Sequence, residues 1–222
     1  MAGLFARLKA AAAPEWQAYT HHEFVAGLGD GTLPQAAFRH YLVQDYLFLI
    51  HFSRAWALAV YKSTSLADMR AAAEVLNGIL NTEMALHVDY CRGFGISPAE
   101  MEAAPEDAPC MAYTRYVLET GMAGDILDLH VALSPCVIGY GEIGARLAAD
   151  PATRHDGNPY ASWIAMYSGP DYAAVMQAAL AQLDRLAEAR LTGARFPELA
   201  RIFSEATRLE AGFWQMGLDA AR

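Results

Sequence analysis

Apolar residues recur at steps of three and four along most of this chain, which is the spacing of one face of an α-helix. No stretch alternates apolar and polar residues for long enough to predict a β-strand. The pattern predicts helices that begin near Glu15 and at Thr32–Pro34, cover 66–90 and 110–121, run from Gly124–Asp125 to Asp150–Pro151, and then occupy 159–167, 171–191 and the stretch from about 196 onward.

Two segments between these helices carry helix-breaking residues. The glycines of Gly27–Gly31 predict a turn, and they do not form a dinucleotide-binding fingerprint because no strand precedes them. Residues 96–109 contain three prolines and predict a loop. Because no repeat, linker or low-complexity tract is present, the chain is predicted to be one all-α domain over 1–222, with about eight to eleven helices.

Three predicted helices place polar side chains at the centre of an apolar face. Glu210 does so in the last helix, Asp45 in the helix after residue 34, and Cys136 and Tyr140 lie one turn apart on a third. An ionised carboxylate is costly to bury unless it is paired or keeps its proton, so these acids are candidates for chemistry. The alternatives are a structural ion pair or a solvent-facing turn, and a buried cysteine or tyrosine alone is ordinary.

Composition narrows the classes of function. The 222 residues are 55% hydrophobic and 18% charged, which excludes disorder, and a net charge of −9 without a basic stripe argues against nucleic-acid binding. No membrane span is expected, because the most apolar stretch, near 46–60, is interrupted by His51, Ser53 and Arg54. The N-terminus lacks a signal-peptide core and the three cysteines show no C-x-x-C, so a cytoplasmic protein with reduced thiols is expected.

The chain carries no sequence motif for a metal or a cofactor. Helical di-iron proteins carry E-x-x-H on facing helices, and this chain has no such motif. Glu83 and His87 are four residues apart, which favours a local hydrogen bond over metal ligation. The other histidines and the cysteines lack ligand spacing, so neither a metal nor a cofactor is expected.

Four segments together resemble the TenA/thiaminase II family over nearly the whole chain. They are QDYLFL at 44–49, SPCVIGYGEIG at 134–144, WIAMY at 163–167 and LEAGFW at 209–214. The resemblance implies an all-α, haem-oxygenase-like fold. It also implies hydrolysis at the methylene carbon attached to a 4-amino-2-methylpyrimidine ring, with thiamin or an aminomethyl-pyrimidine breakdown product as the substrate, and it implies a homotetramer, which the high apolar fraction and the alanine-rich stretch 66–80 also favour.

The resemblance also implies roles for individual residues. Cys136 falls on the family's nucleophile, Glu210 on its acid/base, and Asp45 on the carboxylate that holds the aminopyrimidine edge. In chemical terms, a thiolate that adds to ring carbon C6 breaks the aromaticity, and a proton donor to a ring nitrogen lets the leaving group depart from the methylene. Pro135 lacks an N–H, so the carbonyl of Val131 is expected to lose its helical partner and the helix to kink beside Cys136.

Aromatic residues complete the implied pocket. Tyr113, Tyr140 and Tyr167 match pocket tyrosines, and a flat ring needs such walls. Phe48 stands where many members have a tyrosine, so one hydrogen bond to the substrate is expected to be absent. Gly141 stands where a bulkier aromatic residue is common, so a roomier pocket is expected.

Two other classes of function stay open from the sequence. One is a non-catalytic pyrimidine- or haem-binding module or a regulator, since family members often carry a regulatory label. The other is a haem- or quinone-handling enzyme of the same superfamily, for which His21 or His22 is the only weak candidate for a proximal ligand. The absorbance spectrum of the purified protein separates this last class from the hydrolase, because bound haem gives a strong visible band.

Overall fold

The computed structural model describes residues 2–222, and within that range it contains twelve α-helices, one π-helical segment and no β-strand. The helices are α1 Leu4–Ala11, α2 Ala13–Thr20, α3 Glu23–Asp30, α4 Gln35–Lys62, α5 Leu66–Gly78, α6 Met84–Gly93, α7 Pro98–Ala103, α8 Ala108–Ala123, α9 Ile126–Ala149, α10 Ala161–Ser168, α11 Pro170–Arg190 and α12 Phe196–Asp219. The π-helical segment Ile79–Glu83 joins α5 to α6. The all-α prediction is therefore confirmed.

Helix α9 lies at the centre of the domain and packs against α8, α10, α11 and α12. Among the described residues it is the one helix long and apolar enough to cross a membrane, but 83% of its most apolar window is buried inside the protein. Helix α9 is therefore a core helix of the protein. The faces of α4 and α12 that were predicted to point inward are also buried, so the helical periodicity identified the core correctly.

Local signals explain where α9 begins and how it tolerates a proline. The side chain of Asp125 accepts hydrogen bonds from the backbone N–H groups of Leu127 and Asp128, and the Asp128 side chain accepts one from the backbone N–H of Asp125. Inside the helix, the hydroxyl of Ser134 donates to the carbonyl oxygen of Val131 at 2.8 Å. The carbonyl that Pro135 deprives of its helical partner is therefore satisfied by the neighbouring serine.

The predicted turn at Gly27–Gly31 is wrong except at its last residue. Gly27 and Gly29 lie within α3, and only Gly31, with φ of +77°, adopts the left-handed conformation that ends the helix. A Cβ on Gly27 would lie 3.0 Å from the Cα of Leu33, and one on Gly29 would lie 2.9 Å from Leu147. These two glycines permit close packing rather than a turn, which a glycine pattern by itself does not reveal.

The predicted loop over 96–109 and the predicted helix count also need correction. Helix α7 occupies the middle of that segment, where Ser97 and Glu100 form a reciprocal capping box with Pro98 in the first turn. Pro109 likewise lies in the first turn of α8. Two of the three prolines, Pro98 and Pro109, therefore start helices here, and the described residues form more helices than the eight to eleven expected.

Candidate active site

The structure brings Asp45 of α4, Cys136 of α9 and Glu210 of α12 into one electrostatic environment. Burial raises the pKa of the Cys136 thiol well above its usual value, and the charges of Glu210, Asp45 and Glu83 add to this effect. The side chain is partly accessible, unlike the fully buried Cys91 and Cys110. A neutral thiol in reach of solvent, with carboxyl groups on neighbouring helices, is therefore the centre of the candidate site.

Glu210 is a buried acid with one defined partner. It is 1% exposed, and the hydroxyl of Tyr113 donates to its Oε1 at 2.7 Å. Burial raises the pKa of Glu210 to about 8, the hydrogen bond from Tyr113 acts in the opposite direction, and the charge of Asp45 raises the value further. Glu210 therefore carries a proton near neutral pH and is suited to donate it.

Asp45 lies beside a histidine that the sequence pattern did not assign to the site. Its Oδ2 is 3.5 Å from Nδ1 of His87, and Nε2 of His87 lies 2.9 Å from the carbonyl oxygen of Leu42. Because a carbonyl can only accept, Nε2 carries the hydrogen, and Nδ1 of the neutral ring is left to face Asp45 as an acceptor. Burial raises the pKa of Asp45 to about 7 and lowers the pKa of His87.

The predicted aromatic residues form two clusters. On one side, the ring of Phe48 stacks with that of Tyr113 at a centroid distance of 5.2 Å and lies 5.8 Å from the ring of Phe213. On the other side, the rings of Tyr140 and Tyr167 are 4.9 Å apart. The predicted aromatic residues thus form two groups, and further buried rings of α4 and α12 connect these groups.

Gly141 does not leave the open space that the family resemblance predicted. A Cβ at this position would lie 2.8 Å from Sδ of Met176 and 3.3 Å from the ring of Tyr172, both on α11. The ring of Tyr172 is 4.8 Å from that of Tyr167, and its hydroxyl donates to the carbonyl oxygen of Val137 at 3.1 Å. The expectation of a roomier pocket is therefore wrong, because another helix fills that volume.

Sequence reasoning missed three residues of this environment: Glu83, His87 and Tyr172. The expected local hydrogen bond between Glu83 and His87 is replaced by the contacts of His87 with α4. Glu83 ends the π-helical segment, an arrangement that often marks functional sites. Its side chain is exposed at the surface, but partial desolvation of the carboxyl group raises its pKa to about 7, and the charge of Asp45 adds to this effect. The sequence shows that Glu83 and His87 are four residues apart, but it does not show toward which helix each side chain points.

Within residues 2–222, no group of three or more His, Cys, Asp or Glu side chains is arranged to hold a metal ion. The groups that do converge are a thiol, carboxyl groups and tyrosine hydroxyls, which come from several helices, with Cys136 and Tyr140 both on α9. Such a set can supply a nucleophile, a proton donor and a hydrogen-bond acceptor to an organic ring without a metal.

Comparison with known proteins identifies the family of this chain. The sequence matches the TENA/THI-4/PQQC family over residues 9–220. A protein of Halalkalibacterium halodurans named aminopyrimidine aminohydrolase is 37% identical, with 94% of this chain and 92% of that protein covered. An uncharacterized protein of Haemophilus influenzae is 44% identical, with 95% and 96% covered.

Solved structures support the same grouping. The crystal structure of a TenA family transcription regulator from Silicibacter sp. TM1040 is 51% identical and has a TM-score of 0.92, with 97% of this chain and 96% of that chain covered. A Shewanella denitrificans domain with a heme oxygenase-like fold shares 14% identity and has a TM-score of 0.75, with 97% and 92% covered, which bears on the fold alone. The fold is haem-oxygenase-like, and the chain belongs to the TENA/THI-4/PQQC family.

Proposed function

We propose that this protein is a hydrolase of thiamin salvage that cleaves the bond between a 4-amino-2-methylpyrimidine methylene and its leaving group. The product is 4-amino-5-hydroxymethyl-2-methylpyrimidine. The observation that carries the proposal is the combination of a partly accessible thiol, Cys136, with a buried and protonated acid, Glu210, held by Tyr113. The name aminopyrimidine aminohydrolase, given to relatives at 30–37% identity, supports the same reaction.

The proposed reaction uses each buried group for one step. Glu210 donates its proton to the ring nitrogen next to C6 while the sulfur of Cys136 adds to C6, and the thiol proton restores Glu210. The ring is then no longer aromatic, and its electrons expel the leaving group from the methylene. An amine leaves with the proton of its ammonium form, and the thiazolium of thiamin leaves as the neutral thiazole. Water adds to the exocyclic carbon and gives up a proton, the sulfur leaves C6, and the proton on the ring nitrogen returns to the sulfur through Glu210. The two aromatic clusters, with Phe48 and Tyr113 in one and Tyr140 and Tyr167 in the other, would hold the ring.

The substrate assay tests this proposal and ranks the two candidate substrates. We expect the aminomethyl-pyrimidine to have a higher kcat/KM than thiamin, because salvage recovers the pyrimidine whereas cleavage of thiamin consumes a useful molecule. Purified protein should be assayed with both compounds under identical conditions. Thiamin as the better substrate by tenfold or more would reverse the ranking, and no turnover of either compound would refute the hydrolase and favour a binding or regulatory role.

Replacing Asp45 with asparagine is expected to weaken binding more than catalysis. A carboxylate accepts a hydrogen bond from the amino group of the pyrimidine, and such charged hydrogen bonds are worth roughly 1.5–3 kcal/mol. Because the pKa of Asp45 is about 7, the loss should be larger at pH 8 than at pH 6. Calorimetry with the hydroxymethyl product measures it, with the exposed Asp89→Asn as the control. Unchanged product affinity at both pH values would make Asp45 structural.

The protein is further proposed to be a homotetramer. Large apolar side chains are exposed along α5, the π-helical segment and α6, where Leu66 and Leu86 are each 60% exposed and Leu80 is 53% exposed. Exposed apolar side chains on neighbouring helical segments commonly lie between subunits. Light scattering at micromolar concentration is expected to give four times the 24.1 kDa chain mass, and Leu80→Glu should lower it. A mass near that of one chain would contradict the proposal.

A cytoplasmic location and the absence of a nucleic-acid partner are also proposed. All three cysteines are free thiols, which persist in reducing compartments. The net charge of −9 opposes the phosphate backbone of nucleic acids, so the small-molecule pyrimidine is the proposed partner.

A further inference from the structure

Position 141 and Tyr172 share one volume beside the candidate site. The ring of Tyr172 would be 3.3 Å from a Cβ at residue 141, and Sδ of Met176 would be only 2.8 Å away. These distances are too short for a side chain larger than hydrogen without movement of α11 side chains. Gly141 and Tyr172 are therefore matched across the contact between α9 and α11, where α9 has no side chain and α11 fills the space with the ring of Tyr172 and the side chain of Met176.

Tyr172 makes three contacts with residues at or beside the candidate site. Its ring packs edge-on against Tyr167 at 4.8 Å, it covers the backbone of Gly141 next to Tyr140, and its hydroxyl donates to the carbonyl oxygen of Val137, the residue after Cys136. Tyr172 is only half-buried, so part of its surface faces solvent. Burial and the charges of Cys136 and Glu83 raise its pKa well above 10, so it acts as a neutral wall.

The geometry of the pyrimidine indicates which end of the site this wall bounds. The methylene is attached to C5, between the amino-bearing C4 and the attacked C6. With Asp45 at the amino edge and Cys136 at C6, the leaving group must depart between these two residues. Tyr113 is 1% exposed and hydrogen-bonded to Glu210, whereas Tyr167 and Tyr172 are only half-buried. Because a departing group has to reach solvent, the half-buried rings of Tyr167 and Tyr172 mark the leaving-group end of the site.

We propose that Tyr172 is a specificity-determining residue whose ring, seated against Gly141, limits the size of the leaving group that the enzyme accepts. This inference rests on the proposed function. A small amine fits beside the ring, whereas the substituted thiazolium of thiamin needs the space that Tyr172 occupies. The chemical class that this end of the site selects is therefore a primary amine rather than a bulky aromatic cation.

Tyr172→Ala and Tyr172→Phe separate the wall from the hydroxyl. We expect Tyr172→Ala to raise the ratio of kcat/KM for thiamin to kcat/KM for the aminomethyl-pyrimidine by about tenfold or more. Tyr172→Phe keeps the wall and should change that ratio less than about threefold. Loss of the contact with Val137 slows both substrates alike, so it cancels in the ratio. Affinity for the hydroxymethyl product should change less than about threefold in both variants, because that product has no large group at this end.

Gly141→Ala provides an independent test from the opposite side of the pair. The added methyl group should push the ring of Tyr172 toward the site. The ratio of kcat/KM for thiamin to kcat/KM for the aminomethyl-pyrimidine should then fall by about threefold or more. Gly212→Ala is the matched control, because a Cβ on this helical glycine meets no atom within 4 Å. A ratio within about twofold of wild type in both Tyr172→Ala and Gly141→Ala, with an active wild-type enzyme, would overturn the inference alone. Wild-type protein that neither turns over the two compounds nor binds the product would refute the proposed function together with it.

Discussion

Replacing Cys136 with serine is expected to lower kcat by far more than tenfold while the fold is retained. The site holds the thiol in its neutral form, because burial and the three nearby acids raise its pKa well above the usual value. Its proton must therefore be removed during the reaction itself, with Glu210 as the acceptor. A serine hydroxyl is a weaker acid and a weaker nucleophile than a thiol, so the same environment cannot activate it.

The control for this variant is Cys110→Ser. Cys110 is fully buried, and its sulfur lies 3.6 Å from the carbonyl oxygen of Gln44, a contact that a hydroxyl can replace. We expect near-normal kcat for the control and normal product affinity for both variants. If Cys136→Ser retains more than about a tenth of wild-type kcat, a difference of roughly 1.4 kcal/mol, the covalent role of Cys136 is wrong.

Glu210→Gln is expected to reduce kcat by roughly 10²–10⁴ with little change in product affinity. Glutamine keeps the shape and can still accept the hydrogen bond from Tyr113, but it cannot deliver a proton. Because the pKa of Glu210 is about 8 and its protonated form is the active one, wild-type kcat should fall as pH rises through 8. The variant should lose that decline, and the pH–rate profile of kcat measures both effects.

The same substitution should change stability in the opposite direction to activity. The pKa of Glu210 is raised by folding from 4.5 to about 8, so the stability it provides is complete below pH 4.5 and is lost as pH rises through 8. The Tm of Glu210→Gln minus the Tm of wild type should therefore increase from pH 5 to pH 8. For Glu188→Gln, a change at an exposed position, this difference should stay constant. Near-normal kcat with an unchanged pH profile would refute the acid/base role.

The sequence determined the all-α class, the long helices and the identity of the unusual residues. Apolar spacing predicted the inward faces of α4, α9 and α12, and Asp45 and Glu210 were identified because a carboxylate interrupts such a face. The start of α9 followed from Asp125, because a cap is an interaction between residues three positions apart. These features depend on residues that are close along the chain, so they can be predicted from the sequence.

Packing between helices decided the rest. Tyr113 and Glu210 are separated by 97 residues and His87 and Leu42 by 45, and nothing in the local pattern pairs them. The glycines of α3 were misinterpreted for the same reason, because their use is set by Leu33 and Leu147. Periodicity fixes the face on which a side chain lies, but not the helix that this face meets. The partners of each acid, its pKa and the volume beside Gly141 therefore arise only when the helices pack.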